Sequence, residues 1–274
     1  MTPHPPLTAL AALPTQMADA GWAVLDARTL TTLCAGAPGL SAAWAGYSAG
    51  NSAGNWTGFW TGHWAGYWAG YWADLPLDPH LRDGGRYRRR RHGCFVVEDG
   101  HVGAVAHRAH WQPLEYNALH GGYERWFEPL APGLSADPRW TGLLRGLAGV
   151  ADLLRPQPRW FVEAHAFRID TEGGIGRPTP EGAHRDGVDL VVVMLMARHN
   201  IKGGETRVFD ASGPQGLRFT LDEPGSVLLL DDERMIHEST PIQPLDPSAP
   251  AWRDTLVLTF RREGFQGPAA AIRP

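Results

Sequence analysis

Cysteine is nearly absent: Cys34 and Cys94 are the two in 274 residues, at no spacing that suits a metal knot or a redox pair. That excludes a disulfide framework and a structural zinc site, and makes a reducing cytoplasm the expected compartment. Basic excess is also missing. With 25 Lys and Arg against 29 Asp and Glu the net charge is -4, so no global field draws the chain to nucleic acid or to an anionic membrane. The opening MTPHPPLTALAALPTQ has neither the basic start nor the continuous apolar run of a secretory leader, so an unprocessed chain is expected. The widest gap is one of charge. Between Arg28 and Asp74 there is no Asp, Glu, Lys or Arg, and the stretch ends in NWTG, FWTG, HWAG, YWAG, YWAD. On a helix Trp56, Trp60, Trp64, Trp68 and Trp72 would form a slowly drifting stripe, with Gly54, Gly58, Gly62, Gly66 and Gly70 as another. Each interior Gly costs roughly 1 kcal/mol relative to Ala, and Asn, Ser and Thr dilute the run below what a span of about 20 apolar residues needs. The stretch reads as an inserted repeat with no part in chemistry.

What is present suffices for one sizeable core with elaborations, since 43% of the residues are hydrophobic. Arg86 and Arg88 to Arg91 precede a short β-like run at 94–97 and read as solvated charge flanking an edge strand. Residues 141–154, TGLLRGLAGVADLL, carry the three-four-seven spacing of an amphipathic helix, which Pro156 and Pro158 stop. Beyond Pro158 the texture changes. Runs rich in β-branched and aromatic residues at 160–169, 188–196, 217–221, 226–230 and 255–260 are separated by turns such as IKGGE, ASGPQG and DEPGS. Without helices between them, these strands predict an antiparallel sandwich or barrel. Their near-continuous apolar character predicts cover on both faces, by the interior and by helices from the N-terminal half. The fold class is mainly β with flanking helices.

The chemistry is expected at PTPEGAHRDGVDL. His184 and Asp186 are two residues apart before a strand, so in extended chain both side chains point the same way. His237, in LLLDDERMIHESTPI, follows another apolar run and can return beside them in a closed β architecture. Two His and one carboxylate on one face leave three coordination positions open, the arrangement of non-haem Fe(II) oxygenases. A keto-acid cosubstrate chelating through one end leaves a far carboxylate needing a cation. Arg253 in WRDTLVLTF, with Thr255 on the same strand face, suits a bidentate grip plus a hydroxyl contact. Among 12 His a lone H-x-D triplet is weak; the added distal His and Arg-x-Thr make the set specific. His107 and His110 could share a helix face, with no acidic or cysteine partner evident beside them.

PTPEGAHRDGVDLVVVML, GGETRVFD, EPGSVLLLDDERMIHESTPI, WRDTLVLTFRR and the upstream QPLEYNALHGGYERWFEPL together resemble the bacterial 2-oxoglutarate/Fe(II) dioxygenase family that includes free L-isoleucine hydroxylases. The likeness covers roughly residues 85–262. It implies a double-stranded β-helix, also called a jelly roll or cupin-like barrel, with His184, Asp186 and His237 as iron ligands and Arg253 as the anchor of 2-oxoglutarate. The Gly/Trp repeat has no counterpart in it. The implied division is a helical and low-complexity region at 1–85, the oxygenase domain at 86–262 and a tail at 263–274.

The reaction so implied consumes Fe(II)-bound 2-oxoglutarate and O2, and hydroxylates or sulfoxidises a small substrate, a free L-amino acid or derivative. Tyr116, Asn117, Glu163 and Arg168 are the candidates for its charged ends, with a turn or ordinary strand charges as their plain readings. The expected partner is a small molecule, with no nucleic acid and no membrane, and a homodimer is allowed. A metal-binding module without oxygenase activity, a zinc hydrolase on the same ligands and an oxygenase acting on a macromolecule remain open.

Overall fold

Period-two patterning decides most of the architecture. The computed structural model describes residues 4–36 and 64–268. The chain runs α1 (Leu13–Ala20), β1 (Trp22–Leu25), α2 (Ala27–Cys34), α3 (Trp64–Trp68), β2 (Arg88–Glu98), β3 (His101–Ala104), α4 (Pro132–Ser135) and α5 (Pro138–Leu154). Then come β4 (Arg159–Asp170), β5 (Leu190–His199), β6 (Ile201–Gly203), β7 (Thr206–Asp210), β8 (Gly216–Phe219), β9 (Val227–Asp231), β10 (Met235–Ser239), β11 (Ile242–Pro244) and β12 (Trp252–Arg261).

The strands form a seven-stranded sheet in the order β1-β9-β5-β12-β4-β2-β3, a three-stranded sheet β10-β7-β8 and a pair β11-β6. Each pairing in them is antiparallel. On β4 the two faces separate cleanly. Val162, Ala164 and Ala166 join a core with Leu143, Leu144 and Leu147 of α5, whereas Glu163, His165, Phe167 and Ile169 line a cavity on the other side. Away from that cavity the large sheet meets the smaller one through Val191, Leu195, Leu228 and Leu230 against Val208, Phe219 and Met235. Each such side chain, fully buried, contributes about 1.5–3 kcal/mol. Beside Thr255 the β5–β12 register shifts, the mark of a bulge that twists the strands next to Arg253.

The predicted helix at 141–154 begins earlier, because Pro138 suits the first helical position and the Asp137 carboxylate accepts from Arg139 N–H at 2.9 Å. Two expectations are corrected. The β-like run at 94–97 belongs to an eleven-residue strand that also contains Arg88 to Arg91. Arg88 and Arg90 are buried at 5% and 3% exposure, because a charged run at period two puts alternate members on the inner face. From the N-terminal region, β1 pairs with β9 from Trp22↔Leu230 to Leu25↔Val227. The end of the Trp repeat is core. Trp68 and Trp72 are buried; Trp68 Nε1 donates to Asp137 and Trp72 Nε1 to the carbonyls of Phe167 and Thr255, at 3.1 and 3.2 Å. Trp56 and Trp60 lie outside the described residues.

Candidate active site

The loop that enters β5 carries His184 and Asp186, and the middle of β10 carries His237. A single bridge joins them: His184 N–H donates to His237 O at 3.0 Å and His237 N–H to His184 O at 2.9 Å. That pairing brings the imidazole centres to 4.6 Å. Nε2 of His184 lies 3.8 Å from Asp186 Oδ1, and Nε2 of His237 lies 3.9 Å from Oδ2. One ligand atom from each of the three falls within 4.8 Å of the others. His184 Nδ1–H donates to Gly182 O at 2.9 Å, which fixes the tautomer and turns the Nε2 lone pair inward, as a metal-ligating imidazole requires. Burial, and then the neighbouring His184, hold His237 well below the ordinary histidine range, so it is neutral. Burial raises Asp186 against the pull of His184, the cost of a carboxylate placed to meet a cation.

Two supports hold Asp186. Gln112 Nε2 donates to Oδ1 at 3.0 Å, and Gln112 Oε1 in turn accepts from Asn117 Nδ2 at 3.0 Å and Arg125 Nη2 at 2.7 Å. Behind the loop, the buried Asp232 carboxylate accepts the backbone N–H groups of Asp186, Gly187 and Val188 at 2.7–3.1 Å. Burial and the nearby Asp186 raise the Asp232 pKa while those N–H groups oppose the rise. At φ +75° Gly187 takes a backbone form that favours glycine, and a Cβ there would meet the Tyr116 ring at 2.5 Å.

Arg253 and Thr255 sit on the cavity face of β12 at 3% exposure each. Nε and Nη2 of Arg253 have no hydrogen-bond partner among the described residues. Burial, then Arg198, lower its pKa to about 10, so it stays a cation at neutral pH. A buried guanidinium with free donors fits a ligand carboxylate. The triad's oxygen and imidazole donors likewise suit a first-row divalent metal with open positions.

Of the substrate candidates, Glu163 and Asn117 line the cavity. Asn117 reaches Asp186 through Gln112 besides accepting His120 N–H in a turn at 2.7 Å. Tyr116 lines neighbouring grooves instead. Arg168 is not in the cavity: alternation on β4 turns it to the other face, where it makes a bidentate pair with Asp254 at 2.7 Å and lies 5.0 Å from the Trp252 ring. His110 is not on a helix and does have an acidic partner, since its Nδ1 is 2.5 Å from Glu163 Oε2. His107 is separate, 2.8 Å from Phe127 O. Sequence reasoning missed Arg90, Arg125, Gln112, His165, Asp232 and Gln266. For Arg88, Arg90, His92 and Cys94, and for Glu163 and His165, the period-two spacing was the available signal. The tail contributes too: Phe265 and Gln266 line the cavity, and Gln266 Nε2 donates to the carbonyls of Asp186 and Gly187.

Known proteins resemble this chain in sequence and in fold. A relative from Pantoea ananatis (strain AJ13355), 3(1)-hydroxy-L-isoleucine 4-dioxygenase, is 26% identical over 196 residues, covering 69% of this chain and 77% of the relative. The crystal structure of a bsmA homolog from Methylobium petroleophilum PM1 matches with a TM-score of 0.82 and 49% identity, over 98% of this chain and 99% of that one. That of IDO from Bacillus thuringiensis matches in fold, with a TM-score of 0.68 at 14% identity over 93% and 96% of the two chains. The model of the 2OG-Fe dioxygenase family matches residues 69–259, the greater part of the chain and both halves of the triad, so this protein belongs to the 2OG-Fe dioxygenases, enzymes that use Fe(II), 2-oxoglutarate and O2.

Proposed function

We propose that the chain hydroxylates, or oxygenates at sulfur, a free aliphatic L-amino acid or close derivative, on a double-stranded β-helix core. His184, Asp186 and His237 hold the iron in this reading, and Arg253 with Thr255 holds the far carboxylate of 2-oxoglutarate. The observation that carries it is one cavity with two complementary ends. Three ligand atoms within 4.8 Å of one another share it with a buried guanidinium whose two N–H groups lack partners. Fe(II) held there, with 2-oxoglutarate and O2, would supply the oxidising chemistry, one oxygen atom going to the substrate and the other to the succinate formed with CO2 from 2-oxoglutarate. The chain's part is positioning. Asp232 and Gln112 keep Asp186 aimed, Arg253 fixes the cosubstrate, and Phe161, Val257 and Phe265 give an apolar wall for a side chain.

The amino-acid class is supported by the activity named for the Pantoea relative and by a cavity that mixes buried charges with apolar walls. A nucleic-acid substrate loses its main motive, because Arg88 and Arg90 point inward. Buried, unpaired Cys34 and Cys94 suit a reducing cytoplasm, and no helix among the described residues is long and apolar enough to cross a membrane. The test is a screen of the common L-amino acids with Fe(II), ascorbate and 2-oxoglutarate. Succinate release coupled to a product heavier by one oxygen atom is expected for at least one aliphatic amino acid. Decay of 2-oxoglutarate with no oxygenated amino acid or derivative would remove the substrate class and keep the oxygenase.

A further inference from the structure

Four buried charges in the cavity remain once the proposed iron ligands and Arg253 are assigned, and of these Arg88 and Arg90 face Asp78 at 2.7 and 3.9 Å, which leaves Glu163 and Arg125. Glu163 stands on β4 with its side chain 8% exposed, and its Oε2 lies 2.5 Å from His110 Nδ1, 3.3 Å from His92 Nε2 and 3.8 Å from His165 Nε2. Arg90 Nη2 donates to His165 Nδ1 at 2.6 Å, so the His165 proton sits on Nε2 and faces Glu163. The three rings therefore offer N–H groups, and a metal ion that needs their lone pairs is poorly served. Burial keeps all three imidazoles below the ordinary histidine range, His110 at about 3. Although burial works the other way, His110 and His92 hold Glu163 below the usual carboxylate range. The result is an anion held by neutral donors.

Arg125, 2% exposed, is its neighbour across one residue. His110 N–H donates to Arg125 O and Arg125 N–H to His110 O, each at 2.9 Å, so the two face each other with side chains on the same side. Arg125 Nη2 donates to Gln112 and Nε has no partner. Among the described residues no carboxylate lies within ion-pair distance of its guanidinium. His110 thus has an anion on one side and an unpaired cation on the other. Arg253 is far from Glu163, which pairs with Thr259, six residues along β12 from Arg253, or about 20 Å of strand. A single small ligand cannot occupy both ends.

An α-amino acid carries its ammonium and carboxylate on one carbon, and so requires an anion and a cation close together beside an apolar wall. We propose that Glu163 receives the substrate's ammonium and Arg125 its carboxylate, which makes this pair the determinant of substrate class. The assignment rests on the amino-acid reading above, and its test separates the two. L-isoleucine, L-leucine and L-methionine are each compared with the analogue lacking the amino group and with the amine lacking the carboxylate. The wild type should prefer the amino acid over the deaminated analogue by about 100-fold or more in kcat/KM, as a site built around a buried polar partner does.

In Glu163→Gln, kcat/KM for the amino acid should fall about 100-fold while that for the deaminated analogue moves less than about threefold. Glu163→Asp, which keeps the charge, should keep the preference. Arg125→Gln should in the same way erase discrimination against the amine. Affinity for 2-oxoglutarate, read by anaerobic calorimetry, shows that each variant is folded. An equal fall for both ligands in Glu163→Gln marks a purely structural role and overturns the proposal, as does undiminished preference for the amino acid, and in both cases the amino-acid reading survives. Should the variant not fold, the wild type decides: equal use of the amino acid and its deaminated analogue overturns the proposal. A wild type that oxygenates none of the three amino acids overturns the substrate reading and this assignment with it.

Discussion

Two clusters of histidine and carboxylate share one cavity, and their wiring differs. At His184, Asp186 and His237 the Nδ1–H of His184 is occupied by a backbone carbonyl and Nε2 is turned toward the carboxylate at 3.8 Å. At His92, His110, Glu163 and His165 a carboxylate is met by ring N–H groups, one as near as 2.5 Å, and an arginine occupies the far nitrogen of His165. Residue types that look alike therefore serve opposite chemistry. The first set is arranged so that it could hold a cation, and the second holds a buried, hydrogen-bonded anion. The difference is visible at the outer nitrogens of His184 and His165, one bound to a carbonyl and the other to a guanidinium, which is why a count of ligands alone does not separate the two.

The largest effects should come from the first cluster. Asp186→Ala or His237→Ala should lose bound Fe(II) and 2-oxoglutarate turnover while the unfolding midpoint stays near that of the wild type, checked by metal analysis and thermal melting. The fold has a core that does not depend on the site. Next, Arg253→Ala should weaken 2-oxoglutarate by about 2–5 kcal/mol, at least roughly 30-fold in apparent affinity, because a ligand carboxylate loses its buried partner. Calorimetry would show this, and unchanged affinity would move the anchor elsewhere, to another arginine lining the cavity such as Arg261.

Asp232→Asn sharpens the contrast from outside the triad. The change puts an amide where a carboxylate now accepts three consecutive backbone N–H groups, so metal affinity should fall about 10- to 100-fold. The second cluster should show itself in acid. His92, His110 and His165 have folded pKa values below the unfolded value of 6.5, so the unfolded chain takes up more protons as pH falls from about 6.5 toward the folded values. Stability is full above that window and declines through it, by up to about 1.4 kcal/mol per pH unit for each such proton. Urea melts of wild type and His110→Gln between pH 7 and 5 should give the variant the shallower slope. The smallest effect is expected at Trp72→Phe, which removes an N–H shared by two carbonyls and should cost about 1 kcal/mol in a denaturant melt.

The convergence of His184, Asp186 and His237 was legible because their spacing is chemical: an i, i+2 pair before a strand and a distal His at the end of an apolar run. That Arg253 and Thr255 share one strand face was legible from their i, i+2 spacing, and that face lines the cavity. Arg168 was misjudged because composition says nothing about which strand face a charge takes, and Asp254 turned out to be its partner on the outer face. The arginine run was misjudged in the reverse sense: charge at period two reads as solvated until Asp78 is found buried beneath it, with Arg88 Nε donating at 2.7 Å. Trp68 and Trp72 show that a low-complexity stretch can end in core packing, a fact that depends on contacts with Asp137, Phe167 and Thr255 far along the chain.

The central claim is that one cavity holds one metal at one of its two clusters. Anaerobic titration of the full chain with Fe(II) in the presence of 2-oxoglutarate, run on wild type, Asp186→Ala and Glu163→Gln, tests it most directly. One ion per chain is expected in the wild type and in Glu163→Gln, and none in Asp186→Ala. Two ions in the wild type, or an ion retained by Asp186→Ala and lost from Glu163→Gln, would contradict the account.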